Sequence, residues 1–219
     1  MADIEVFSLK NLEVLWAKSD PRHPLWKHLL DTAAVSLALA NPLADFGWEK
    51  THTAFLVGLH DIGKTDPAFQ HQVKEFSGDL EKAGFKCTAD APVRHERLSG
   101  RFVREKLEQA GLDDSTARTI ARVVAAHHGH WDEEARPAPF EYEQAKVGLW
   151  DLLGMVLAAF PLPTNVPSNM SAFGMRLVGH IVLCDWIASN EIFYTDPRLQ
   201  EAAEPCLYFR QAQAVAGEW

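Results

Sequence analysis

Cysteine is scarce in this chain of 219 residues: Cys87, Cys184 and Cys206 are far apart and form no CxxC pair. That excludes a disulfide framework and a thiolate zinc site, and it suits a reducing cytoplasm. Basic charge is also in short supply. Lys and Arg number 21 against 30 Asp and Glu, for a formal charge of −9. Coating of nucleic acid by bulk charge is therefore excluded, and any polyanion must meet a local patch or bound metal. The N-terminal MADIEVFSLK lacks the apolar core of a signal peptide. The longest apolar stretch, Val147 to Phe160, contains Asp151 and is too short to span a bilayer, so no membrane partner is expected. The chain has no internal repeat, no low-complexity tract and no GxxxxGK[ST] phosphate loop. No alternating pattern runs long enough to suggest a sheet.

What the sequence does have is apolar residues at helical spacing, in a chain long enough to bury the core of one domain. The spacing predicts helices over about 24–40, 49–62, 95–110, 114–128, 141–160 and 171–190. Pro24 suits a first turn, Gly63 a left-handed stop, and Asp114 or Ser115 an N-cap. Connections are expected at 132–139 and 161–168. The stretch 76–94 has weak periodicity and is expected to wander over the surface. The tail holds a short helix at 197–204 and then an apolar end at 207–219. The fold class is all-α, a compact helical bundle with irregular loops, in a single domain spanning 1–219.

Histidine is plentiful, with ten residues. His28, His60–Asp61, His95, His127–His128 and Asp185 collect at helix ends. Imidazole with carboxylate suits Mn, Fe, Co, Ni or Zn far better than Ca. Adjacent helical residues point about 100° apart, so His60 and Asp61 flank a metal rather than share one stripe. Asp61, with two oxygens, can bridge two ions. Asp185 lies in LVGHIVLCDWIA, apolar nearly all round and so expected to be buried. A buried carboxylate must pair, protonate or bind metal; a salt bridge or hydrogen bond in the core is the alternative. His180, about 140° round the helix from Asp185, reads as a hydrogen-bonded core histidine. His52 lies about 12 Å along the axis from His60, too far to join it. His23, His71 and His130 read as surface residues, with His130 the first exception to consider because it follows the HH pair.

The order His28…His60–Asp61…Asp185 resembles the H…HD…D signature of the HD superfamily of metal-dependent phosphohydrolases. The local text is more specific. HDIGKTDPAFQ (60–70), RHE (94–96), AHHG (126–129) and CDWIASN (184–190), with LWAKS (15–19) and HLLDTAA (28–34), resemble the HD nuclease domain of the type I CRISPR-associated nuclease-helicase. These segments occur in the expected order over about residues 15–190.

The resemblance implies a metal-site core at about 15–190, with 191–219 a C-terminal extension or the start of a linker to a helicase. It implies one or two divalent ions, of Mn, Ni, Co or Fe, with Mg or Zn as alternatives. The first would be held by His28, His60, Asp61 and Asp185, and the second by Asp61, His95, His127 and His128. Asp61 and Lys64 would be catalytic, Lys64 through contact with the scissile phosphate; a solvated lysine at the end of a helix is the plainer reading. Gly58 and Gly63 are better explained by close packing and a helix stop. Ser99 and Ser189 are candidate groups behind the ligands. The expected activity is hydrolysis of single-stranded DNA, endonucleolytic and also exonucleolytic, in CRISPR interference. Expected partners are a helicase domain or subunit and the crRNA-guided surveillance complex, in the cytoplasm. The face Arg97, Arg101 and Arg104, with Arg94 and Lys106 nearby, either follows a phosphate backbone or is balanced by Glu96 and Glu105. Trp26 reads as core, while Trp131 can pack or stack on a base. A phosphohydrolase of nucleotides or cyclic nucleotides, and a noncatalytic nucleic-acid or protein-binding module, are the competing functions.

Overall fold

The computed structural model describes residues 9–86, 94–131, 138–164 and 169–218. A one-turn helix α1 (Leu9–Leu12) leads into an antiparallel hairpin, β1 (Trp16–Ser19) and β2 (Arg22–Pro24). Then follow α2 (Leu25–Ala38), α3 (Lys50–Gly58), α4 (Pro67–Gln70), α5 (Ser77–Lys82) and α6 (His95–Gln109). The remainder is α7 (Asp114–Ala125), α8 (Phe140–Leu157), α9 (Met170–Ala188), α10 (Ile192–Thr195), α11 (Pro197–Glu201) and α12 (Pro205–Gly217). The fold is the expected all-α bundle, and among the described residues the hairpin is the one departure in class. Its strands are too short to show alternation, and Trp16 and Ala17 are both buried.

Helix α2 is the axis of the molecule. Trp26, Leu29, Leu30, Ala33 and Ala34 are fully buried, and α3, α9 and α12 pack around it. A side chain the size of Leu or Val contributes about 1.5–3 kcal/mol on full burial, so this row is a large share of the core. The apolar end expected at 207–219 is thus α12, whose Tyr208, Phe209, Ala212 and Val215 face the core. Trp26 is a core residue, as its sequence context indicates, and its indole N–H donates to Glu13 Oε2 at 2.6 Å. Helices α6 and α7 pair as a hairpin, with Gly111 in the left-handed conformation between them (φ 96°).

Several boundaries differ from the sequence reading. Asp113, not Asp114 or Ser115, caps α7, its carboxylate accepting from the Thr116 N–H. The helix read as 114–128 ends at Ala125 and continues as a tight 3-10 turn, Ala126–His128, closed by left-handed Gly129 (φ 83°). The helix read as 49–62 ends at Gly58, and Ile62–Thr65 forms a separate 3-10 turn. Gly63 is not left-handed, so it is not the expected C-cap. Helix α8 stops at Leu157, with Ala158 left-handed (φ 49°). The stretch 76–94 contains α5, with Leu80 and Phe85 in the core, while 87–93 lies outside the described residues. So do Cys87 and the loop positions 132–137 and 165–168.

The three histidines read as surface are all at least partly buried. His23 is buried, its Nε2 2.7 Å from Asp31 Oδ2, and Tyr208 donates to the other oxygen at 2.8 Å. His71 is half-buried against the Tyr142 hydroxyl at 2.9 Å. His180 is the expected core histidine, 2.9 Å from Ser36 Oγ; burial, and then Lys50, lower its pKa to about 4. By length and composition α9 would cross a bilayer, but it is packed on α2, α3 and α7.

Candidate metal centre

The C-terminal ends of α3, α7 and α9 converge on one point. The unsatisfied carbonyls of a helix C-terminus carry partial negative charge, so three such ends favour cations between them. The same local device is used twice. His60 lies just past the end of α3, and its Nδ1–H donates to the Val57 carbonyl at 2.9 Å. His127 lies just past the end of α7, and its Nδ1–H donates to the Val124 carbonyl at 2.8 Å. Each bond fixes the tautomer and directs an unprotonated Nε2 into the centre when the ring is neutral.

All the candidate residues meet there. Asp61 lies at the middle with its two oxygens facing different partners. Oδ2 is 3.2 Å from His28 Nε2 and 3.4 Å from His60 Nε2. Asp185 Oδ1 completes that side, 3.4 Å from His28 Nε2 and 3.5 Å from His60 Nε2. Oδ1 of Asp61 is 3.0 Å from His95 Nε2 and 3.5 Å from His127 Nε2. The His128 ring lies 4.3 Å from that of His127 and 5.4 Å from that of His95. The candidate donor atoms thus form two sets, each within 4.8 Å: His28, His60, Asp61 and Asp185, and Asp61, His95, His127 and His128.

The donor set fits a divalent ion. His28 Nε2, His60 Nε2, Asp61 Oδ1, His95 Nε2 and His127 Nε2 are buried and have no partner with hydrogen-bond geometry, although they lie at ion-pair distances from one another. Buried polar atoms are normally satisfied, so a convergent group of imidazole nitrogens and carboxylate oxygens of this kind calls for a cation. The charges agree. Burial disfavours the Asp61 carboxylate, but Lys64, then His60 and His95, hold it well below the usual range. His28 and His60 outweigh burial at Asp185 in the same way. Burial works against a charged His60, but the carboxylates of Asp61 and Asp185 push its pKa up to about 10.

The surroundings refine several readings. Lys64 is held inward, its Nζ 2.6 Å from Asp61 Oδ2. Ser189 donates to Asp185 Oδ1 at 3.1 Å, and Ser99 accepts from the Gly63 N–H at 2.8 Å while donating to the His95 carbonyl at 3.1 Å. Asp185 is less enclosed than an apolar helix suggests: its side chain keeps 17% exposure, and Met175, Leu183 and Trp186 leave one face of α9 open. His95 and His128 also reach solvent, so the centre is open on the side of α6, α9 and the 126–128 turn. Trp131 is 48% exposed, but it lines a surface pocket with Thr119, Arg122, Met170 and Met175, back along α7 and α9 from the centre, and His130 is half-buried. Arg101 and Arg104 are engaged by Glu105, Glu108 and Asp114, which favours the balanced-face reading of that stripe.

Sequence reasoning missed two residues. Gln70 is buried and links β1 to the HD turn: Trp16 N–H donates to its Oε1 at 3.0 Å, and its amide donates to the carbonyls of Trp16 at 2.9 Å and Lys64 at 2.7 Å. Lys18, on β1, donates to Ser189 Oγ at 2.8 Å. The WAKS segment carries Lys18, but only the hairpin shows that it faces the centre.

Gly63 is a matter of close approach. A Cβ there would collide with the His95 carbonyl and lie 2.7 Å from the Ser99 amide nitrogen. Gly63→Ala is expected to cost about 1–3 kcal/mol in urea unfolding, the usual cost of overpacking, and to weaken divalent-ion binding by moving Asp61 off His95. Full stability with full ion affinity in that variant would show that the contact does not set the spacing.

The family model described as "Cas3, HD domain" matches residues 16–194. The CRISPR-associated endonuclease/helicase Cas3 of Thermus thermophilus is 32% identical, over 93% of this chain and 25% of the relative. This chain therefore spans about a quarter of that protein's length. The crystal structure of the Thermus thermophilus Cas3 HD domain in the presence of Ni2+ has a TM-score of 0.69 and 28% identity, covering 96% of this chain and 89% of that one. A chain in a CRISPR RNA-guided surveillance complex, pre-nicking, shares the fold with a TM-score of 0.72, at 23% identity and over 94% of this chain and 28% of its own.

Proposed function

Since the chain belongs to the Cas3 HD-domain family, we propose that it is a metal-dependent nuclease that hydrolyses single-stranded DNA in type I CRISPR interference, in the cytoplasm. His28, His60, Asp61 and Asp185 hold one divalent ion, and Asp61, His95, His127 and His128 hold a second. The observation that carries this reading is the division of Asp61, one oxygen toward each donor set. Bound ions of this kind supply an activated water and a Lewis acid for the phosphoryl oxygens. The Ni2+ structure of the Thermus relative and the imidazole-rich donor set favour Mn, Ni, Co or Fe over Mg.

The protein's own groups do the rest. The carbonyls of Val57 and Val124 hold His60 and His127 with Nε2 inward. Lys64 offsets the buried Asp61 charge and lies where an ammonium can meet the leaving oxygen. The exposed rim at His95, His128 and Asp185 admits a strand rather than enclosing a small nucleotide. Residues 1–219 act as the nuclease domain. A helicase, on the same chain or another, feeds it single strands at the surveillance complex, as the names of the relatives suggest.

The test is cleavage of circular single-stranded DNA by chelator-stripped protein with Mn, Ni, Co, Fe, Mg or Zn restored singly. Circles have no ends, so cutting must start internally. Cutting with at least one transition metal, and none with chelator or in Asp61→Ala, is expected. A folded, ion-binding protein that leaves the circle uncut with every metal would point instead to a small nucleotide substrate or to a strict need for the helicase.

A further inference from the structure

Lys18 belongs to neither donor set, yet it sits at the edge of the centre. Gln70 fastens β1 to the HD turn, and Lys64 Nζ donates to the Ala17 carbonyl at 3.4 Å, next to Lys18 itself. The Lys18 ammonium then reaches Ser189 Oγ at 2.8 Å, and the Ser189 hydroxyl passes the contact to Asp185 Oδ1 at 3.1 Å. Lys18 is half-buried, and among the described residues no carboxylate lies within ion-pair distance of its Nζ. Lys64 is the contrast, paired with Asp61 at 2.6 Å. A partly desolvated ammonium whose closest partner is a neutral hydroxyl is costly unless an anion joins it. Burial, and then Lys64, lower its pKa, against the attraction of Asp185, Asp61 and Asp31 at longer range.

Charge balance points the same way. Two divalent ions outweigh the carboxylates of Asp61 and Asp185, and Lys64 and Lys18 add to the surplus. One phosphodiester carries a single negative charge and leaves much of that surplus unmet. A second phosphate of the same strand would reduce it further. Resting on the nuclease reading above, we propose that Lys18 binds a phosphate flanking the scissile one, forming a subsite that a polynucleotide fills and a small phosphodiester does not.

The competing role is support: Lys18 merely positions Ser189 and Asp185. Lys18→Met and Lys18→Arg in the full chain separate the two. Each is assayed on a single-stranded oligonucleotide and on bis(p-nitrophenyl) phosphate, with Ni2+ affinity measured by calorimetry. Binding of a phosphorothioate oligo(dT) across a salt series is read by anisotropy. In Lys18→Met the ratio of oligonucleotide to small-diester kcat/KM should fall about 10- to 100-fold, as for a lost charge-assisted bond, mostly through KM. The slope of log affinity against log salt should shrink by about 0.7, one single-strand phosphate contact, at unaltered Ni2+ affinity. Lys18→Arg should restore both. Equal loss on the two substrates, or weakened Ni2+ binding, would overturn the subsite in favour of support. An unchanged ratio and salt slope would show that no phosphate binds there. If the wild type hydrolyses the small diester but neither cuts nor binds oligonucleotide, the single-strand nuclease reading fails and the subsite falls with it. If the wild type cuts DNA and only the Lys18 results disagree, the subsite alone fails.

Discussion

Asp61→Asn should lower metal-dependent cleavage by at least about a thousandfold while leaving the far-ultraviolet helical signal intact. The carboxylate presents Oδ2 to His28, His60 and Lys64, and Oδ1 to His95 and His127. An amide has one acceptor oxygen; its NH2 would direct hydrogens at the other donor set. One ion site therefore loses a ligand and gains a repulsive group, and both lose a shared negative charge. Loss of a group behind a ligand typically costs 10- to 100-fold in metal affinity or activity, and loss of a ligand common to two sites exceeds that. A thousandfold corresponds to about 4 kcal/mol of transition-state stabilisation, well within what direct metal ligation supplies. The comparison is His28→Ala with His127→Ala. Each touches one side of Asp61, so calorimetry should show one class of ion site weakened in each single variant and both weakened in Asp61→Asn. If Asp61→Asn keeps two normal ion sites, Asp61 is not the shared ligand and the two-set arrangement is wrong.

The centre was readable from sequence because its parts arrive in local pairs. His60–Asp61 and His127–His128 fall where apolar periodicity stops, and a helix end is where adjacent side chains can diverge around one point. Less readable was the conformation of those ends. Leu59 and Ile62 are both buried, so the apolar pattern runs on through the break after Gly58 and hides the change from α-helix to 3-10 turn. Gly63 invites reading as a left-handed stop; its actual reason is the His95 backbone pressed against it, a contact between positions 32 residues apart in sequence. The same holds for His23. Beside Pro21, Arg22 and Pro24 it looks like a loop residue, and only the packing of α12 on α2, which brings Tyr208 to Asp31, makes it part of the interior. Lys18 follows this pattern too, since its position depends on Gln70 reaching back to Trp16. Local chemistry was legible; contacts set by the closure of the bundle were not.

Ion uptake should release about one proton per ion of the first set at neutral pH, and its affinity should rise about tenfold per pH unit up to about pH 10. Without an ion, Asp61 and Asp185 hold His60 protonated, with its pKa pushed up to about 10 against the burial that would lower it. Its Nδ1–H is committed to Val57, so the proton lost to an ion is the one on Nε2. Both carboxylates are already ionised and give up none. Burial, then His127, lower the pKa of His128, so it adds none at neutral pH. Folding stability responds with the opposite sign. A histidine whose pKa is raised on folding contributes fully below its unfolded value near 6.5 and loses that contribution as pH rises to about 10. The ion-free protein should therefore weaken across that window. With an ion in place of the proton, that loss disappears, so the stabilisation by metal should widen as pH rises. At an ion concentration about a hundred times the dissociation constant, linkage gives about 2.7 kcal/mol, or roughly 5–10 °C in melting temperature for a domain of this size. Calorimetric titration in two buffers of different ionisation enthalpy counts the protons, and thermal melts from pH 6.5 to 9.5 with and without Ni2+ follow the stability. Absence of proton release, or a metal-induced shift that shrinks as pH rises, would mean that His60 meets the ion already neutral or does not meet it at all.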